Sequence, residues 1–287
     1  MSRESIEYRV EKLENQIGLG AESFFTESER DAIVSPTNGQ LIYNTTRDRF
    51  EFYEPFWGWH PVALTPSAMR DWGVEFIEDF HAAGLSYVWN GAALNSGNVS
   101  SLSGYFGTAT INTQTNTNGG YQYRGTTSAI QFGGGQYRWD CRVRIPTNSD
   151  GTDTFQFLAG FWDVINNVNQ VDGIYFLYDS QGVSTGSAAS GNWQIVTASN
   201  SVRTFTTTGT VIDNSNLQKL RIDVNADATS VTFYINDVSV GTHTTNIPSG
   251  ASRLTTSGVY LQKSAGTTAR TAQIDYLYLK AKFTTPR

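Results

Sequence analysis

The 287-residue sequence is poor in cysteine, histidine and charge, with one Cys, three His and 16% charged residues. A single cysteine, Cys141, excludes an intrachain disulfide framework and a cysteine-cluster zinc site. Three scattered histidines argue against a histidine-based metal site. No apolar run approaches the roughly 18 residues of a membrane helix, and residues 1–16 lack a signal-peptide pattern. We therefore expect no membrane insertion, and the net charge of -6 without a basic run argues against nucleic-acid binding.

What the chain has instead is Thr, Ser, Asn and Gly, together roughly 37% of the residues, and 13% aromatics. This mixture is typical of many short strands joined by tight turns. Residues 1–81 hold 15 acidic and 7 basic residues, a net of -8, and every glutamate lies at or before Glu78. Because Glu favours helices and Asp favours turns, the change in composition predicts a change of architecture.

The first segment, residues 1–20, has a heptad pattern of apolar residues at Ile6, Val10, Leu13 and Ile17. The spacing predicts a short helix that ends at Gly18 and Gly20. A helix this short is marginal alone, so other chains or tertiary packing must complete it. One interpretation is a small helix docked on its own domain; the other is a parallel coiled coil, compatible with three strands.

The second segment, residues 21–70, contains three short apolar runs that predict a small β-meander. Leu41 to Tyr43 follow the Asn38-Gly39 turn, Phe50 and Phe52 share one face of the next strand, and Trp57 and Trp59 begin the third. So small a sheet cannot bury enough area to be stable alone.

The sequence motifs of this segment, SPTNGQLIYNTT followed by FEFY and WGW, resemble a module of bacteriophage fibre-like virion proteins. The resemblance covers about 30 residues and implies a homotrimer attached to a phage particle. On that interpretation the assembly residues are Tyr43, Phe50, Phe52, Trp57 and Trp59.

The third segment, residues 71–287, shows one period-two run after another and no convincing helix beyond residue 90. Many short strands with turn signals at this spacing predict an antiparallel β-sandwich. The clearest runs lie at 132–145, 154–162, 173–178, 193–197, 217–225, 230–235, 254–262 and 272–282. The meander formed by 217–241 and the closing strand 273–279 resemble the concanavalin A-like or laminin G-like jelly roll, although Asp237-Val238 replaces the usual Gly in the turn. In the run 132–145, Cys141 shares one face of the strand with Trp139 and Val143, which predicts a buried thiol.

Concanavalin-like folds include lectins and glycoside hydrolases, and the hydrolases of this fold use glutamates on inner-sheet strands. A hydrolase needs two carboxylates across the sugar, and no Glu follows Glu78. Asp140, Asp223 and Asp275 lie on separate strands without a recognisable motif. His243, the sole His after His81, is interpreted as a solvated loop residue rather than part of a triad. We therefore predict that the protein is not an enzyme.

Two kinds of ligand site remain as hypotheses. Aromatic rings with neighbouring amides could contact a glycan at Trp162, Tyr178, Asn192 and Trp193, although the same alternation would place the rings in the core. Asp150 and Asp153 have the residue types of a Ca²⁺ loop, and also those of an ordinary turn. No other cofactor is expected.

The functional prediction is a non-enzymatic phage virion protein, made in the host cytoplasm and displayed as a homotrimer in contact with capsid or tail proteins. It would be a head fibre, a decoration protein or a tail fibre. The alternative is a glycan-binding adhesin that recognises host surface sugars, and an enzyme that degrades polysaccharide is the third hypothesis.

Overall fold

A computed structural model of the chain describes residues 24–46, 49–56, 58–61, 73–80, 89–101, 107–125, 128–163, 169–184 and 186–285. The chain divides into two compact units, residues 1–72 together with Arg287, and residues 73–286. The predicted coiled coil, with Ile6, Val10, Leu13 and Ile17, lies outside the described residues. The predicted boundaries at residues 20 and 70 stay predictions. Among the helices of the described ranges, none is long and apolar enough to cross a membrane.

The N-terminal unit is a four-stranded sheet rather than the predicted three-stranded meander. Its strands, in spatial order, are β1 (Phe24–Phe25), β2 (Leu41–Asn44), β3 (Arg49–Glu54) and β4 (Gly58–Pro61). The added strand β1 pairs in parallel with β2, and the other pairs are antiparallel. A two-residue strand carries no detectable alternation, so the sequence pattern could not reveal it.

A short helix, α1 (Glu27–Asp31), connects β1 to the rest of the N-terminal unit. It begins at a capping box, in which Thr26 accepts from the Glu29 backbone N–H and Glu29 accepts from the Thr26 backbone N–H. This pattern, Thr-x-x-Glu, was readable in the sequence. The helix places Arg30 against the fully buried carboxylate of Glu51, with 2.6 Å between Arg30 Nη1 and Glu51 Oε2. Asn44 Nδ2 donates to the same oxygen at 3.1 Å.

The predicted assembly residues that the structure describes lie on both faces of this small sheet. Tyr43 is 9% exposed and contacts Phe24 and Phe50, with ring centroids 5.6 and 5.0 Å apart. Phe50 and Phe52 are half-buried. On the other side of the sheet the ring centroids of Tyr53 and Trp59 lie 5.5 Å apart. Trp57 lies outside the described residues.

The C-terminal unit is a β-sandwich, as predicted, and the described ranges contain no helix in it. Its strands are β5 (Gly73–Glu78), β6 (Trp89–Leu94), β7 (Asn98–Ser101), β8 (Ala109–Asn112), β9 (Gly120–Gly125), β10 (Gly135–Arg144), β11 (Phe155–Trp162), β12 (Gly173–Asp179), β13 (Ser190–Ser199), β14 (Val202–Val211), β15 (Gln218–Val224), β16 (Val231–Ile235), β17 (Val238–His243), β18 (Thr256–Lys263) and β19 (Thr271–Phe283).

Two antiparallel sheets make up the sandwich. The eight-stranded sheet has the order β17-β16-β15-β10-β19-β8-β7, with β5 also paired to β19. The seven-stranded sheet has the order β14-β13-β12-β11-β18-β9-β6. All eight predicted runs correspond to strands of these sheets. The strands β5 to β9, β14 and β17 were not among the eight, although residues 238–241 of β17 were predicted as part of the meander. Most of these strands are short or Thr-rich.

The core lies between the two sheets, where alternate residues of each strand meet. Phe176 of β12 packs edge-on against Phe233 of β16, with ring centroids 5.4 Å apart. Trp139, Cys141 and Val143 are buried there, as their alternation predicted. Burial raises the pKa of the Cys141 thiol well above its usual value.

The hairpin between β16 and β17 shows how an unusual turn sequence still forms a tight turn. Asn236 and Asp237 both have positive φ, at 50° and 64°. Two successive left-handed residues form the type I′ turn that matches the twist of paired strands, and Asn and Asp tolerate that conformation. The Gly expected at this turn is therefore replaced without loss of the hairpin.

Candidate functional site

The candidate site is the outer face of the seven-stranded sheet, which points away from the eight-stranded sheet. Residues of each strand alternate between the core and this face. The register aligns residues across the strands in rows. One row contains Asn90, Arg124, Gly258, Gly160, Tyr175, Val196 and Phe205. The next contains Ala92, Gln122, Tyr260, Leu158, Leu177, Gln194 and Thr207.

Aromatic and aliphatic side chains form the floor of the outer face. They make a second apolar cluster, separate from the core, of Leu94, Leu158, Trp162, Tyr175, Leu177, Val196 and Tyr260, with Phe205 packed against it. At its centre Gly160 pairs with Gly258, and both have positive φ. A Cβ at Gly258 would lie 2.1 Å from the Tyr123 carbonyl oxygen, so the strands approach closely only because that side chain is absent.

Amide side chains line the outer face beside this aromatic floor. Gln156 and Gln262 are paired across β11 and β18, and the Tyr260 hydroxyl donates to Gln262 Oε1 at 2.6 Å. Arg124 Nε donates to Gln122 Oε1 at 3.2 Å. Arg124 and Gln262 are half-buried. Gln122, Gln156 and Tyr260 are buried, so the polar groups that this face presents to a ligand are the Gln262 amide and the Arg124 guanidinium, which together donate and accept hydrogen bonds.

The loop from Ser180 to Ala189, between β12 and β13, is tied to the outer face by two buried side chains. The Asp179 carboxylate accepts from the backbone N–H groups of Val183 and Ser184 at 3.0 and 2.6 Å, and from Ser187 Oγ at 2.7 Å. Gln194 exchanges two hydrogen bonds with the Ala188 backbone, at 3.1 and 3.0 Å. These bonds attach residues 183–184 and 187–188 to the sheet.

Two carboxylates lie at the end of the outer face, beyond β11 and before β12. Asp163 accepts from the Val171 backbone N–H at 3.1 Å, and Asp172 is paired with Arg253 at 2.9 Å. Burial, with a smaller contribution from the Asp172 charge, raises the pKa of Asp163. Arg203 donates to the Gln170 carbonyl oxygen at 2.8 Å. Each of these side chains is therefore already bonded to a described group of the chain.

The structure places the four predicted glycan contacts in different environments. Tyr178 and Trp193 are buried in the core between the sheets, where the Ser149 backbone N–H donates to the Tyr178 hydroxyl and Trp193 Nε1 donates to Gln218 Oε1. Trp162 is fully buried, but in the outer-face cluster. Asn192 is half-buried and donates to the Thr208 carbonyl oxygen at 2.8 Å. None of the three rings presents an open face. The sequence pattern could not reveal this, because alternation alone does not distinguish a covered sheet face from an exposed one.

The outer-face amides were missed by sequence reasoning. A single glutamine in a strand carries no distinctive signal. Their common face follows only from the cross-strand register, which the sequence alone does not specify.

The predicted Ca²⁺ residues Asp150 and Asp153 are both bonded to Arg270. Arg270 Nη2 lies 2.7 Å from Asp150 Oδ2 and 3.3 Å from Asp153 Oδ2. Asp150 also accepts from two backbone N–H groups of its own turn, and the pKa of Asp150 is lowered, mainly by the bond from the Asp153 N–H. The described residues contain no group of three or more His, Cys, Asp or Glu that could hold a metal.

The interpretation of His243 as a solvated loop residue is wrong. It ends β17, is 5% exposed, and lies with Nδ1 and Nε2 each 3.0 Å from a threonine hydroxyl, Thr197 and Thr206 respectively. Its ring packs edge-on against Phe233. The polar sequence Gly-Thr-His-Thr-Thr around His243 does not indicate burial, because its hydrogen-bond partners, Thr197 and Thr206, come from β13 and β14.

The predicted aspartates Asp140 and Asp223 share the outer face of the eight-stranded sheet, on the neighbouring strands β10 and β15. Each carboxylate is bonded to a neighbouring side chain of the same sheet. Arg138 binds Asp223 through two bonds of 2.8 and 3.0 Å. Burial raises the pKa of Asp140, and a hydrogen bond from Tyr276 partly offsets this. Asp275 lies apart on β19, beside the register shift opposite Cys141 and Val143.

Comparison with known proteins gives one family match. Residues 104–275, more than half of the chain, match the C-terminal domain of the SO2946-like proteins. The chain belongs to the SO2946-like family. A protein of unknown function, SO2946 from Shewanella oneidensis MR-1, has a similar structure, with a TM-score of 0.57, 14% identity, and coverage of 79% of this chain and 98% of that one. A search of curated protein sequences gives no match.

Two other solved structures relate this SO2946-like fold to the wider jelly-roll class. An endo-1,3-β-glucanase from Streptomyces sioyaensis has a similar structure, with a TM-score of 0.52 and 12% identity. The match covers 76% of this chain and 99% of the glucanase chain. Peanut lectin has a TM-score of 0.51 and 11% identity, with 74% and 99% coverage. The predicted lectin-like jelly roll is confirmed. Identities this low establish the fold alone.

Proposed function

We propose that this SO2946-like protein binds neutral glycans on the outer face of its seven-stranded sheet, without hydrolysing them. The observation that carries the proposal is the pair of half-buried polar side chains on that face, Arg124 and Gln262, which are bonded to the buried groups Gln122 and Tyr260 respectively. Sugars are bound by such planar hydrogen-bonding groups set against aromatic surface.

The chemistry of the same face supports binding over hydrolysis. In the described strands of the seven-stranded sheet, the outward-facing carboxylate is Asp179, and its oxygens already accept three hydrogen bonds. A glycosidase needs two carboxyl groups facing each other across the scissile bond, roughly 5 to 9.5 Å apart. Asp163 and Asp172 at the sheet end are bonded to the loops that carry them.

The N-terminal unit supports a role in assembly. Its half-buried Phe50 and Phe52 belong to the module that resembles phage fibre-like proteins, and the heptad at Ile6 to Ile17 precedes it. We propose that these segments join identical chains as a homotrimer on a virion, in contact with capsid or tail proteins. Three weak glycan sites on one trimer would bind a surface with higher effective concentration.

A glycan array with the purified full chain tests the binding proposal. We expect binding to neutral oligosaccharides, with β-1,3-glucans included because one jelly-roll neighbour is an endo-1,3-β-glucanase. The variant Arg124→Ala should weaken binding, whereas Arg142→Ala, an exposed arginine on the other sheet, should leave it unchanged. Binding lost equally in both variants, or release of reducing ends from a bound glucan, would contradict the proposal.

Light scattering of the full chain tests the assembly proposal. We expect a mass three times that of the 31.6 kDa chain. Replacing Val10 and Leu13 with Asp should reduce it to the monomer, and a similar double change at Arg9 and Lys12 should not. Locating the chain in images of purified phage particles would then distinguish head from tail. A monomeric wild-type protein would overturn the trimer.

A further inference from the structure

The outer face contains two buried polar groups that have no hydrogen-bond partner. Gln156 is 1% exposed and Ser184 is 3% exposed, and neither Gln156 Nε2 nor Ser184 Oγ has a partner within the described part of the chain. A buried donor without a partner costs free energy, so each such group in a folded protein calls for an explanation.

Asp179 lies close to both residues that carry these groups. The Ser184 backbone N–H donates to Asp179 Oδ2 at 2.6 Å, which fixes Ser184 against the carboxylate. Tyr178 pairs with Phe157 in the antiparallel register, so the following residue Asp179 lies beside Gln156 on the outer face. Adjacent residues on paired strands have Cα atoms about 4.5–5.5 Å apart. Asp179, Gln156 and Ser184 are 0%, 1% and 3% exposed, and we name this group of three buried side chains the amide niche.

The hydrogen-bonding groups of the amide niche define what it can bind. Gln156 Nε2 provides two N–H donors, and the Ser184 hydroxyl can donate or accept. The Asp179 carboxylate has about four lone-pair sites and uses three of them. The complement is a small neutral group that accepts from an amide and donates to a carboxylate, which describes a hydroxyl. A cation would meet the Gln156 donors, and an anion would meet Asp179.

We infer that the amide niche binds one hydroxyl group of a neutral sugar, held between Gln156 Nε2 and Asp179 beside Ser184. This rests on the proposed glycan-binding function and adds the residues that select the sugar. Residues 183–184 and 187–188 are already attached to the sheet by Asp179 and by the two bonds between Gln194 and Ala188. The niche would discriminate between sugars that differ in the configuration of one hydroxyl.

The test compares sugar binding with stability in matched variants. Glucose, galactose, mannose and laminarin oligosaccharides are titrated into the full-length protein and into Gln156→Leu, Ser184→Ala and Gln136→Leu. Gln136→Leu makes the same chemical change on β10 of the other sheet. We expect Gln156→Leu to weaken binding about tenfold, the effect of one hydrogen bond to a neutral group, and Gln136→Leu to leave binding unchanged.

Thermal unfolding of the free variants separates a ligand site from a structural water. If the niche serves a sugar, Ser184→Ala keeps the melting temperature of the wild type and loses affinity. A lowered melting temperature of Ser184→Ala with unchanged sugar affinity would indicate a structural water in the niche. That result would overturn the proposal that the niche binds a sugar. Wild-type affinity in Gln156→Leu overturns the niche and leaves glycan binding standing, whereas a wild-type protein that binds none of these sugars overturns both.

Discussion

His243 and Thr197 share a hydrogen bond whose direction can be deduced from their neighbours. Thr197 Oγ1 lies 3.0 Å from His243 Nδ1 and 2.9 Å from the Thr245 carbonyl oxygen. The hydroxyl proton is used on the carbonyl, so Nδ1 carries the proton shared with Thr197, and Nε2 accepts from Thr206. A neutral imidazole thus joins β17 of one sheet to β13 and β14 of the other.

Acid should weaken this connection. Burial lowers the pKa of His243, so the unfolded chain takes up the proton at a higher pH than the folded one. The stability from this group is complete above the unfolded pKa of about 6.5 and is lost as the pH falls from that value through the lower pKa of the folded protein. We expect urea unfolding between pH 5 and 8 to show a steeper decline for the wild type than for His243→Gln. Parallel pH profiles for the two proteins would contradict this.

The buried ion pair of the N-terminal unit should be essential to that unit. In Arg30→Ala the fully buried Glu51 carboxylate loses the guanidinium that pairs with it, which costs roughly 3–5 kcal/mol for a buried pair. Hydrogen exchange over residues 24–61 should therefore accelerate. Asp31→Asn removes a second partner of Arg30 that is 60% exposed, and it should cost about 1 kcal/mol or less. Equal protection from hydrogen exchange in Arg30→Ala and Asp31→Asn would contradict an essential role for the Arg30–Glu51 pair.

Trp193 should behave as a core residue. Trp193→Ala is expected to lower the free energy of unfolding of the sandwich by about 3–5 kcal/mol, because it leaves a cavity beside Phe157 and Phe176. Trp193→Phe should cost less, since Gln218 Oε1 still accepts from the Asp213 N–H at 3.0 Å. Chemical denaturation measures both. A change in sugar affinity with unchanged stability would instead place Trp193 at the ligand.

Cys141 should be inert in the native protein. Its thiol is buried and its pKa is raised, so little thiolate is present near neutral pH. A chromogenic thiol reagent should label one cysteine per chain in urea and almost none in buffer. The labelling midpoint should follow the unfolding midpoint of the sandwich. Rapid labelling in buffer would require Cys141 to be accessible.

The sequence predicted the fold better than the site, for physical reasons. Alternation along a strand reports which residues share a face, and this located Trp139, Cys141 and Val143 in the core. It does not report whether the opposite face is covered. Trp162 therefore looked like a possible platform, although it is buried in the outer-face cluster.

Residues that act through tertiary contacts were the hardest to predict. His243 lies in a polar stretch, and its burial depends on threonines 37 to 46 residues earlier in the chain. Gln156 reaches its neighbours Gln262 and Asp179 only through strand register. The short helix α1, by contrast, had a local capping signal at Thr26 and Glu29 that a closer reading of the sequence would have found.

The bridge from Arg270 to Asp150 and Asp153 makes this part of the sandwich independent of dissolved cations. A bound ion leaves its site when the medium is diluted or when a chelator removes it, and a loop that depends on the ion then loosens. The cation that Asp150 and Asp153 share here is covalently part of the chain, so its local concentration is the same in any medium. We expect this corner of the sandwich to keep its shape in EDTA and in ion-poor fresh water.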